Sequence, residues 1–253
     1  MCVCIFLGND YCRKFYPSPE TPSSTKERQY FVDLVLPCFR QMFWHFELNM
    51  SILETAVLGC SRRLNADRVP LVEKVLVANF ADAVVAHNGV QPVLAECGPP
   101  NVVSRDKRFW DHYKLARDLK DTWAHCIEAL IVSGRVPPEN MRVFGIQGYR
   151  QQVEIYCLDF TGCFRLQQLV SFTVPNCGVS FAEDFKRMVV VCHGFAKMVS
   201  DEIQRWNQAP FWEDEREHQV AEKALSYLPI TFPKPPKSLK KKRRHDDDDN
   251  EQD

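Results

Sequence analysis

No run of 18 or more apolar residues occurs anywhere in the 253 residues. That excludes a transmembrane helix of ordinary length. The opening stretch, Met1 to Asp10, is briefly apolar but lacks the basic leader and small-residue cleavage site of a secretory signal. The expectation is an intracellular protein with no membrane partner. Eleven cysteines are present, yet no C-x-x-C, and the tightest grouping, Cys2, Cys4 and Cys12, has no histidine nearby. Zinc sites want tighter paired spacing, so the thiols read as reduced, mostly buried small hydrophobes. There is no Gly-rich phosphate loop, no His-Arg-Asp and no Asp-Phe-Gly, so kinase activity is not implied, and no internal repeat is visible.

Positive charge is also missing where a nucleic-acid-coating surface would need it. Lys and Arg number 32 and Asp and Glu 33; the last twenty residues hold seven of the first and six of the second, which leaves 25 basic against 27 acidic in the body. Generic nucleic-acid binding by a basic surface is not supported by that count. The tail itself reads clearly. "PKPPKSLKKKRRHDDDDNEQD" combines prolines with like-charge blocks and cannot bury a core, so disorder is expected. Lys240, Lys241, Lys242, Arg243 and Arg244 after a Pro-rich stretch match a monopartite nuclear-import signal, which implies a nuclear import receptor as partner and the nucleus as location.

The remainder suits one domain with a sizeable core, 45% of the chain being apolar. "YPSPETPSSTKER" is a linker by composition. The expected organisation is therefore an N-terminal segment and linker over 1–28, a single α/β domain over 29–230, and the tail over 231–253. Glu27 to Leu64 reads as helical with an interruption at Pro37, because large apolar residues recur at three- and four-residue spacing. Two strands follow, Phe80 to His87 and Val90 to Cys97, expected to pair antiparallel. Asp106 to Ser133 is the clearest helix, with an apolar stripe at Tyr113, Ala116, Leu119, Trp123, Ile127 and Leu130, Asp106 as N-cap and Gly134 as C′ residue. Three strands with turns at 148–150 and 161–162, then a helix from Phe181 to Trp206, complete an α/β or α+β fold.

The first strand of that hairpin opens with Asp82 and the second ends with Glu96. Two carboxylates on one face at the open end of a hairpin can hold a divalent metal. A plain two-residue turn at Asn88-Gly89 would set them on opposite faces, because side chains alternate along a strand. A three-residue loop or a bulge near Gly89 restores the shared face. The metal reading needs that odd register; two solvated strand-end acids do not.

An aspartate on one strand, Glu-x-Lys at the end of the next, and then a long helix is the signature of the PD-(D/E)XK nucleases. Together with "LARDLKDTW", "RVFGIQGY" and "VEIYCLDFTGCFRLQQLVSFTVP", the chain resembles that family over Ser61 to Trp206. It is similar in the same stretch to uncharacterised proteins of early-diverging fungi and to the nuclease-like region of fungal-type protein kinases. The resemblance implies a restriction-endonuclease-like mixed sheet flanked by helices, with Asp82 and Glu96 holding Mg²⁺. The lysine position is Gly98, so the lysine would have moved to the following helix, where Lys120, bordering the apolar stripe, is the candidate; its alternative role is to lay its stem along the core. The expected function is a nuclear PD-(D/E)XK-like module that binds nucleic acid or protein without cleaving. The alternatives are a Mg²⁺-dependent nuclease using Asp82, Glu96 and the displaced lysine, and an interaction scaffold on an unrelated α/β fold. Arg105, Lys107, Arg108, Phe109 and Trp110 interleave charge and aromatics, which suits either a nucleic-acid strand or a solvated helix start. His87, His125 and His193 stand apart from any serine or cysteine partner in sequence and read as structural.

Overall fold

A computed structural model describes residues 31–69, 72–98, 105–175 and 180–225. The N-terminal segment, the linker and the tail, with the import signal expected there, lie outside the described residues.

The chain enters through a π-helical turn, Phe31–Val35, and α1, Leu36–His45. Pro37 sits in the first turn of α1 rather than interrupting a helix, and there its missing N–H is one the helix would leave unpaired anyway. The helical reading of 46–56 is corrected by the structure. Glu47 takes a φ of 60° and ends α1, and Asn49–Ala56 is a strand, β1. It buries Met50 while exposing Ser51 and pairs antiparallel with the next strand, so period two, supplied by the neighbour, overrides the apparent helical spacing. A short helix α2, Leu58–Asn65, follows.

The hairpin is β2, Phe80–His87, and β3, Val90–Cys97. The long helix α3 spans Arg105–Val132 and ends where Gly134, at φ 77°, lets the N–H groups of 134 and 135 return to Ile131 and Leu130. Three strands come next: β4, Val143–Tyr149, β5, Gln152–Phe160, and β6, Phe164–Thr173. The chain then forms α4, Phe181–Asn207, and α5, Glu215–Leu225.

The six strands lie in one sheet in sequence order. Every neighbouring pair is antiparallel except β3–β4, which is parallel and bridged by α3. The protein is thus a mixed α/β fold, one mixed sheet flanked by helices. On one face α3 is seated closely because β4 offers Gly145: a Cβ there would stand 2.9 Å from Leu119 Cδ1 and 3.0 Å from Leu115 Cδ2. On the other face Phe39, Phe43, Phe144, Phe172 and Phe195, from α1, the sheet and α4, pack with ring centroids 5.7–6.1 Å apart. The buried stripe of α3 is Leu115, Leu119, Trp123, Cys126, Ile127 and Ile131, while Tyr113 and Ala116 are only partly covered. The helix is therefore rotated from the expected stripe, and that rotation decides which lysine reaches the sheet.

Candidate functional site

The hairpin combines the two turn geometries that sequence treats as alternatives. Asn88 and Gly89 form a two-residue turn with φ of 46° and 79°, and His87 pairs with Val90. One step further the register slips: Val85 pairs with Val93 and Ala83 with Ala95, so β3 spends Gln91 and Pro92 against Ala86. Pro92 has no N–H for the ladder, and a bulge is where a strand tolerates it. The bulge also frees the Gln91 side chain, which donates to Ala56 O (3.0 Å) and accepts from Leu58 N (2.8 Å), tying β1 to the start of α2. Continued by one pair, the shifted register sets Asp82 opposite Glu96 on the face that carries α3.

Asp82 Oδ2 accepts the N–H of Cys97 at 2.7 Å. Glu96, only 6% exposed, meets a lysine: Lys114 Nζ lies 2.8 Å from Oε1 and 2.9 Å from Oε2, and donates to Phe80 O at 2.7 Å. Burial drives the Glu96 carboxyl up to about 8; Lys114 pulls it back, and Asp82 and Asp118 add to the rise. Desolvation therefore outweighs the ion pair. Adjacent strands extend the polar row. Glu96 is beside Gln147 in the β3–β4 register and Gln147 beside Glu154 in β4–β5. His112 Nδ1 lies 3.0 Å from Gln147 Oε1, Arg108 pairs with Glu154, and Tyr156 Oη donates to Glu154 at 2.8 Å.

Lys120 does not join this set. It is buried, its ammonium lies 5.6 Å from the ring centroid of Phe164 on β6, and burial lowers its pKa. Lys114 and Lys120 are six residues apart on α3, which puts them on opposite flanks; β6 is four strands from β2. On geometry it is Lys114, not Lys120, that reaches the carboxylate pair. The position has a signal in sequence, since Lys114 and Asp118 precede Leu115 and Leu119 by one residue each, but reading it requires the true stripe.

The basic and aromatic stretch opens α3. Phe109 is 60% exposed and meets Trp110 edge-on at 5.3 Å, while Arg108 is turned to Glu154 and Lys107 to Asp111 at 3.6 Å. The histidines are dispersed: His87 borders the turn beside Asn88 and Asn207, His193 lies tilted against the rings of His45 and Phe46, and His125 is buried on α3. Cys38, Cys60, Cys97, Cys126, Cys157, Cys163 and Cys192 are free thiols, and of these Cys163 alone is exposed.

Among the described residues no helix is long and apolar enough to cross a membrane. The chain matches no protein-family model, no curated protein and no solved structure.

Proposed function

We propose that the protein is a PD-(D/E)XK-type domain directed at nucleic acid, with Asp82, Glu96 and Lys114 as its working set. One observation carries this reading: two carboxylates on adjacent strands share a face, and a lysine from the following helix stands 2.8–2.9 Å from one of them. Gly98 vacates the usual lysine place, and α3 supplies an ammonium from another direction. The donor set fits a hard divalent cation such as Mg²⁺, because it offers carboxylate oxygens and Asp82 is only partly covered. A cation held by Asp82 and Glu96 would supply charge neutralisation and a bound water of lowered pKa. The chain's own parts then divide the work. Asp82 and Glu96 hold the ion. The Cys97 N–H keeps the Asp82 carboxylate oriented. Lys114 presents positive charge where a phosphoryl oxygen or the attacking water gains negative charge.

A second reading, binding without cleavage, is favoured by the burial of Glu96 and the engagement of both its oxygens by Lys114. The purified full-length chain, incubated with Mg²⁺ or Mn²⁺ and single- and double-stranded DNA and RNA, separates the two. Cleavage lost on Asp82→Asn and Glu96→Gln supports the nuclease. Binding without cleavage of any substrate supports the module. Cleavage that survives Asp82→Asn overturns the assignment to this pair. The same proposal has Lys240 to Arg244 serve as a nuclear-import signal, which the composition of the tail supports.

A further inference from the structure

We propose that Cys60, Asp118 and Asp121 form a second, buried site for a thiophilic divalent cation of the Zn²⁺ class, separate from the Asp82–Glu96 pair. The site lies where α2 crosses α3. Gly59 makes the crossing close: a Cβ there would stand 2.4 Å from the Asp121 carbonyl oxygen, so the two backbones touch and the next residue, Cys60, is delivered to the flank of α3. Asp118 and Asp121, three residues apart, share that flank. One ligand atom from each residue lies within 4.8 Å of the other two, and all three residues are buried.

A second observation points to a missing partner. Asp118 Oδ1 accepts from Asn79 Nδ2 at 2.7 Å and from Arg117 at 3.2 Å, but Oδ2 has no donor although the residue is 1% exposed. A buried oxygen left so is destabilising and is uncommon in a folded protein. The donors choose the ion. A sulfur with two carboxylates suits Zn²⁺ or Co²⁺ and not Mg²⁺ or Ca²⁺, and three protein ligands leave a fourth position for water. Without a metal, Arg63 supplies the cation: its Nε is 2.7 Å from Asp121 Oδ2 and Nη2 is 3.8 Å from Cys60 Sγ. An incoming ion therefore replaces Arg63, and the Cys60 thiol releases its proton to solvent. The Asn79 N–H, 3.5 Å from Sγ, orients the sulfur.

The test is titration of the reduced full-length protein with Co²⁺, whose coordination is visible. The expected result is thiolate-to-cobalt charge-transfer absorption from one bound equivalent, whatever the Asp82–Glu96 pair takes up without a sulfur ligand, and Zn²⁺ bleaches it. Cys60→Ser should remove that absorption, Asp121→Asn should weaken binding about tenfold or more, and Arg63→Gln should tighten it by removing the competitor. Asp82→Asn should leave it intact, which keeps the outcome independent of the nuclease assignment. Circular dichroism confirms that each variant is folded; should Cys60→Ser unfold, the opposed effects of Asp121→Asn and Arg63→Gln decide. Absence of the absorption in the wild type, its survival in folded Cys60→Ser (exposed Cys163 being an alternative thiol), or tightening that fails to follow Arg63→Gln would each overturn the site.

Discussion

Lys114 illustrates how one residue's position on a helix separates two chemistries. Its ammonium is committed to Glu96 and Phe80 O, whereas Lys120, six residues on, is committed to the ring of Phe164. If the nuclease reading holds, Lys114→Met should cost on the order of 100-fold in kcat, while Lys120→Met leaves kcat within about twofold and affects stability instead; a cleavage assay run beside thermal unfolding reads both. Glu96 makes a second prediction, with a definite sign. Its carboxyl rises from 4.5 in the unfolded chain to about 8 in the fold, so between those values the folded state binds more protons than the unfolded one. The stability this contributes is fully present below pH 4.5 and is lost as pH rises through 8. Melting temperatures across that window should fall more steeply for wild type than for Glu96→Gln; parallel curves would contradict the shift. Of this site, Asp82 and Glu96 were legible from their places at the hairpin's open end. Lys114 was not, because a stripe begun at Tyr113 and Ala116 turns it away from the sheet. Pro92 carried the bulge in plain view, as a strand residue with no N–H to give.

Two glycines set how closely α3 is held, and they differ in what opposes them. At Gly145 an added Cβ meets the far ends of two leucine side chains, which can shift; at Gly59 it meets the backbone of Asp121 and Thr122. Gly145→Ala should therefore cost about 1 kcal/mol and Gly59→Ala above about 3 kcal/mol in chemical unfolding, since backbone cannot repack. Equal costs would refute that distinction. Among the elements, the β2–β3 hairpin and the last three strands follow their sequence patterns closely, and α3 does so in extent though not in the face it buries. β1 does not: its eight residues, Asn49–Ala56, become a strand because β2 is there to pair with, and a segment read alone cannot show its neighbour.

At the scale of the whole molecule, the import signal proposed for Lys240 to Arg244 can be tested apart from the folded body. A reporter fused to residues 232–253 should accumulate in nuclei, and alanines at Lys240, Lys241 and Lys242 should abolish that; accumulation that persists removes the nuclear assignment. Fold class followed from the order of apolar periods, whereas the six-stranded count and the single parallel pair depended on how the strands meet in space. That parallel pair has a kinetic consequence. β1, β2 and β3 form one antiparallel group and β4, β5 and β6 another, and among the described residues the one strand pairing that joins them, β3–β4, waits for all of α3 to be laid down. Loop closure of that length is the slowest contact to make. The joint should therefore limit the folding rate, so that conservative substitutions at Val93 or Phe144 slow refolding, while changes at the Asn88-Gly89 turn act mainly on unfolding. Stopped-flow refolding of such variants would reverse the assignment if the turn dominated. Asp82 and Glu96 belong to the first group alone, so the hairpin by itself sets the two acids face to face, and it is α3, from across the parallel joint, that brings the cation compensating them.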